Sequence, residues 1–166
     1  MYRITHCLSV GPFATPERAN VLLAAGVTHI LNVSDTGCEV TTGPGSFAGV
    51  YWFPMSDRQR LPLETTIQAL DTLHSLVSVP KSHVYIHCIA GMVRSPTILW
   101  LYLIACGLSP EYAQEIIEER SPDAVAGHPA LVTDDHILLA QKHVLTHYFP
   151  LPRGEVILPF PTGNDE

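Results

Sequence analysis

The sequence predicts an α/β fold, with a central, mainly parallel sheet of about four to five strands flanked by helices on both faces. Three observations lead there. Short runs of β-branched and aromatic residues alternate with stretches of helical periodicity, an order that brings strands side by side in parallel. The stretch Ile98–Ala105 is apolar all round, as a helix buried in the core must be. The chain has 166 residues, 46% of them apolar, enough for one compact domain with a substantial core.

The elements follow in order. Cys7-Leu8-Ser9-Val10, stopped by Gly11-Pro12, predicts an early strand. Thr15-Pro16-Glu17 supplies an N-cap, a first-turn proline and an acidic first turn, and Gly26 ends that helix near Ala25. Val27–Val33 predicts a buried strand, and the Gly/Thr/Ser-rich stretch from Asp35 to Gly49 an exposed loop. Val50–Phe53 is a strand of aromatic and β-branched residues closed by Pro54. Ser56–Pro62 is a polar loop. Ile67, Leu70, Leu73, His74 and Val77 keep helical spacing, so about 63–79 is an amphipathic helix that Pro80 ends. Val84-Tyr85-Ile86 is a short buried strand, and an apolar helix, with apolar residues on every side, runs from about Arg94 to Cys106. Ser109-Pro110-Glu111 caps a helix ending near Arg120, and Thr133-Asp134-Asp135 caps a last one to about Tyr148. One domain over 1–148 and a Pro-rich tail over 149–166 are expected.

Composition limits the function. A formal net charge of −7, with 9 Lys+Arg against 16 Asp+Glu, argues against nucleic-acid or anionic-membrane partners, which need a basic surface. It leaves room for one local anion pocket. Residues Met1–His6 lack a signal-like apolar stretch, and the longest apolar run is far short of the roughly 20 residues that span a bilayer. A cytoplasmic protein is therefore expected. Cys7, Cys38, Cys88 and Cys106 form no C-x-x-C pair, so each is judged on its own reactivity.

One cysteine stands apart. Val84–His87 delivers Cys88 to the end of a buried strand, and after Ile89-Ala90-Gly91-Met92-Val93 a helix opens with Arg94-Ser95. Ligands of open α/β sheets bind at such strand ends. Loop N–H groups facing a common centre form an anion nest, to which the helix adds its positive end. Near these charges a thiol pKa falls from about 8.5 to roughly 3.5–7.5. Arg94 offers a planar fork for two phosphoryl oxygens, Gly91 a mid-loop turn toward positive φ, and Ser95 a hydroxyl for the sulfur. Arg then Ser or Thr at the right offset from one given Cys arises by chance in roughly 1% of cases.

His87-Cys88-Ile89-Ala90-Gly91-Met92-Val93-Arg94-Ser95 resembles the His-Cys-x5-Arg-Ser/Thr signature of protein tyrosine phosphatases. Ile30–Val33 before a loop, and the short chain, look most like the dual-specificity branch, with the resemblance covering about residues 2–148. Val93 stands where that branch often has a small hydroxylated residue. The resemblance implies a catalytic Cys88, Arg94 and Ser95, a phosphate-binding loop over residues 89–94, and a loop-orienting His87. It also implies an acid on a loop about thirty residues before the cysteine, a place that Asp57 holds. Leaving-group protonation is work for Asp, Glu or His. Asp35, beside Thr36-Gly37, is the runner-up, and reads more simply as turn chemistry.

The expected reaction is hydrolysis of phosphotyrosine, and of phosphoserine or phosphothreonine, through a phosphocysteine, with no metal or other cofactor. A phosphorylated protein is the expected partner, because Ile89, Ala90, Met92 and Val93 carry no charge, whereas phosphoinositide-directed relatives often place Lys there. Alternatives are a non-catalytic phospho-binding module, action on phosphoinositide or RNA 5′-phosphate, and rhodanese-type sulfur transfer. His136, His143 and His147 lie on the last helix, and without a completing carboxylate or Cys they read as a plain helix face.

Overall fold

The computed structural model describes residues 1–147, with side chains as far as His143. Five strands and five helices run in the order β1 Tyr2–Arg3, β2 Leu8–Gly11, α1 Pro16–Ala24, β3 His29–Asn32, β4 Gly49–Trp52, α2 Leu63–Val77, β5 Val84–His87, α3 Arg94–Ala105, α4 Pro110–Arg120 and α5 Asp134–His147. The sheet order is β1-β2-β5-β3-β4. β2, β5, β3 and β4 are parallel, and β1 joins β2 antiparallel. The α/β fold with a mainly parallel sheet is as predicted. β1 is an addition: two exposed residues carry too little pattern to mark a strand. The tail expected over 149–166 lies outside the described residues.

Local chemistry sets the elements. The Thr15 hydroxyl accepts the Arg18 N–H at the start of α1, and the Ser109 hydroxyl accepts the Tyr112 N–H at the start of α4. α2 stops at Val77, two residues before the predicted end. All twelve residues of α3 are buried: Ile98–Ala105 as their apolar run requires, and the polar Arg94, Ser95 and Thr97 of the first turn with them. Adjacent residues of β3 and β5 face opposite ways: Ile30 and Tyr85 join Leu22 of α1 and Phe47 on one face. Leu31 and Ile86 join residues of α2, α3 and α4 on the other. One helix thus covers one face, and the larger core fills the other.

Register places the site. Gly11 and Asn32 flank His87, and Trp52 follows Asn32, so four parallel strands end along one row. The residues after that row (Pro12, Val33 to Asp35, Phe53 to Asp57, and Cys88) all emerge at the carboxyl end of the sheet, where open α/β folds bind ligands.

Two buried histidines should make the fold acid-sensitive. Burial pushes His83 and His87 down to about 4, helped by the charges of Arg3 and Arg18 respectively and opposed at His87 by its bond to the Cys88 carbonyl. His83 Nδ1 and His87 Nε2 have no hydrogen-bond partner among the described residues. The unfolded chain protonates first, near 6.5, so stability should fall as pH drops from 6.5 toward 4, by about 3 kcal/mol for each histidine. Urea midpoints across that range should show the decline, and His83→Gln should flatten it. An equal slope in the variant would contradict the assignment.

Candidate active site

The turn after β5 is possible only because of glycine. Gly91 has φ 76°, and a Cβ there would lie 2.3 Å from the Gly11 carbonyl carbon and 2.6 Å from Pro12 N. The loop is tied on both flanks. Phe13 N–H donates to the Ile89 carbonyl at 2.9 Å, and Val125 N–H to the Met92 carbonyl at 2.7 Å. Gly91→Ala should therefore lower stability by about 1–3 kcal/mol from positive φ alone, with the backbone clash in addition. Urea denaturation reads the loss; an unchanged midpoint would refute this account of the turn.

Cys88 sits at the centre, 2% exposed. Burial alone would raise its pKa. The Ser95 hydroxyl, the N–H groups of Ser95 and Gly91, and the Arg94 charge outweigh that, and the net shift is downward. Ser95 Oγ lies 3.4 Å from the sulfur. Helix α3 has no side-chain cap at Val93, unlike α1 and α4, so its first N–H groups stay open toward the loop. Burial raises the pKa of the other three thiols, Cys7, Cys38 and Cys106, the last to about 12. Cys88 is the thiol of the four that the fold favours as a thiolate.

Arg94 is buried on the first turn of α3. Its NH1 donates to the Met55 carbonyl at 2.8 Å and to Asp35 Oδ1 at 3.3 Å. Asp35 follows β3 in a turn built on buried Asn32. The Asn32 side-chain oxygen accepts from Ser34 N–H at 2.9 Å and lies 2.7 Å from Ser34 Oγ; its amide donates to the Thr36 carbonyl at 2.7 Å.

His87 is buried, with Nδ1 3.1 Å from the Cys88 carbonyl; its ring meets Phe13 edge-on and stacks on Tyr85. Ile89 and Met92 are exposed at the rim, beside exposed Val125. Asp57 is exposed two residues beyond Met55, on a loop anchored at both ends. Met55 holds one end through Arg94. Leu61 holds the other: its N–H donates to the Leu131 carbonyl, and its carbonyl accepts from His136 Nε2 at 2.8 Å. No hydrogen bond or ion pair among the described residues links Asp57 to Cys88 or Arg94.

Sequence reasoning missed the part played by His136, whose buried side chain also takes the Thr133 N–H at 3.0 Å. It fills the place of Glu or Gln in a capping box, and the Thr-Asp-Asp-His spacing was the available signal. His143 pairs with Asp71 of α2 at 2.6 Å, while the side chain of His147 lies outside the described residues. The Asp35–Arg94 contact had no local signal.

Comparison with known proteins gives a consistent result. The family model of the Swiss Army Knife protein, DSP-PTPase phosphatase domain, matches residues 7–141. Human dual specificity protein phosphatase 13B is 27% identical over 90 residues, which make up 51% of this chain and 46% of that protein. The chain thus spans less than half of that relative's length in the match. PTPMT1 in complex with PI(5)P superposes with a TM-score of 0.70 at 18% identity, covering 87% of this chain and 96% of that one. Human DUSP28 gives 0.69 at 20%, covering 87% and 98%. At such identities these two structures speak to the fold.

Proposed function

The chain belongs to the DSP-PTPase phosphatase-domain family, and on that premise we propose that it hydrolyses phosphotyrosine, and phosphoserine or phosphothreonine, in phosphorylated proteins through a phosphocysteine at Cys88. The observation that carries this reading is the buried Cys88 thiol at the end of β5, with Ser95 Oγ 3.4 Å from its sulfur and buried Arg94 opening the next helix, surroundings that favour its thiolate where burial disfavours it at the other three cysteines.

The mechanism follows from the groups at hand. The Cys88 thiolate attacks phosphorus in line, forming an S–P bond as the P–O bond to the leaving group breaks. The loop N–H groups and Arg94 stabilise the equatorial oxygens. Asp57 gives its proton to the departing oxygen. As a carboxylate it then takes a proton from water, whose oxygen attacks phosphorus and releases phosphate and the Cys88 thiolate. Ser95 Oγ, 3.4 Å from the sulfur, stabilises that thiolate in both steps. These steps use protein groups and water.

The rim supports a protein substrate. Exposed Ile89 and Met92 offer apolar contact and no cation to a multiply charged headgroup. An intracellular setting fits the free thiols, and no helix among the described residues is long and apolar enough to cross a membrane.

Two measurements test the proposal. A phosphotyrosine peptide should be turned over faster than a phosphoinositide or an RNA 5′-phosphate; the reverse order would overturn the substrate class, and tight binding without turnover would indicate a non-catalytic module. Asp57→Ala should lower kcat by about 10²–10⁴ for an ester with a poor leaving group and far less for one with a good leaving group. An equal or absent loss on both would move the acid elsewhere.

A further inference from the structure

We propose that Asp35 is the positioning residue for Arg94, a role that deepens the phosphatase reading and rests on it. The guanidinium NH1 has two hydrogens and meets two acceptors, the Met55 carbonyl at 2.8 Å and Asp35 Oδ1 at 3.3 Å. NH1 is thereby used up. The Nε–NH2 edge has no hydrogen-bond partner among the described residues, and a bidentate grip on two phosphoryl oxygens needs such an edge. Two fixed acceptors on one nitrogen set both the position and the tilt of the guanidinium plane.

The turn that carries the carboxylate is itself held. Asn32 closes the turn on both sides of Asp35, accepting from Ser34 and donating to Thr36. Thr36 N–H also donates to Ser34 Oγ at 3.2 Å. Asn32 is fully buried and pairs in register with His87, the residue before the nucleophile. Turn and thiol are thus referenced to the same row of the sheet. The partners differ in exposure, with side chains 5% open for Arg94 and 60% for Asp35. Solvent weakens such a pair, so the effect of losing it should be moderate.

The test reads anion binding without requiring turnover. The rate at which neutral iodoacetamide alkylates Cys88 is measured against inorganic phosphate, giving a half-protecting concentration. Asp35→Ala should raise that concentration about fivefold to tenfold. Asp35→Asn keeps an acceptor for NH1 and should stay within about threefold of wild type. In an Arg94→Lys background the Asp35→Ala shift should vanish, because the lysine has no second edge to orient. A decrease or no change with Asp35→Ala would overturn the proposal, since a carboxylate that merely competed with phosphate would tighten binding when removed. So would a shift that persisted in the Arg94→Lys background.

Activity supplies a second arm. A positioning residue should cost the same factor in kcat/KM for aryl phosphates of good and poor leaving groups. A loss confined to poor leaving groups would make Asp35 the acid and overturn the assignment. A protein that bound phosphate with this coupling yet hydrolysed nothing would defeat the phosphatase reading and leave the Asp35–Arg94 relation standing.

Discussion

Cys88→Ser should reduce turnover of an aryl phosphate at least about a thousandfold, with the fold intact. The chemical reason is the difference between a thiolate and a hydroxyl. The Cys88 sulfur is held as a better anion by Ser95, Gly91 and the Arg94 charge, against its burial. A serine oxygen in the same place stays protonated at neutral pH, and no base among the described residues contacts the position to take its proton. His87 is the nearest candidate in sequence, but its Nδ1 is engaged with the Cys88 carbonyl. Phosphate affinity should survive, because the loop N–H groups and Arg94 remain. Alkylation of wild-type Cys88 should also set in at lower pH than that of an ordinary thiol, since its pKa is lowered. Alkylation that began only at the pH of an ordinary thiol or above would contradict the thiolate.

Arg94→Lys should lower kcat/KM by about a hundredfold or more although the charge is kept. Arg94 does three things that a lysine cannot do together. It donates to the Met55 carbonyl, it meets Asp35, and it retains an edge for two phosphoryl oxygens. Lysine has one nitrogen for all of these. Losing the Met55 contact also frees one anchor of the loop that carries Asp57, so kcat should fall along with phosphate affinity. Steady-state kinetics on an aryl phosphate and phosphate inhibition measure both. Near wild-type kcat/KM would show that charge alone suffices.

Much of this arrangement is legible in the sequence because local rules govern it. Thr15-Pro16 and Ser109-Pro110 begin α1 and α4 through their own hydroxyls. The unbroken apolar run of α3 can only be a core helix, and it is buried at every position. Gly91 takes the positive φ expected of it, since the turn needs a residue without a Cβ. What lay beyond the sequence depends on contacts between distant segments. The backbone under Gly91 belongs to Gly11 and Pro12, on another strand. Asp35 reaches Arg94 across 59 positions, and no spacing rule connects a turn carboxylate to a helix arginine. The Thr133-Asp134-Asp135-His136 spacing marks His136 as a cap, but its bond to the Leu61 carbonyl, 75 positions away, exists only once α5 docks.

The most direct test of the central claim is to quench the reaction with acid during turnover of a phosphate ester and locate any phosphoryl group by mass spectrometry. The expected result is one phosphoryl group on Cys88, absent from Cys88→Ser. Steady turnover with the phosphoryl group on another residue, or turnover that survives Cys88→Ser, would contradict it.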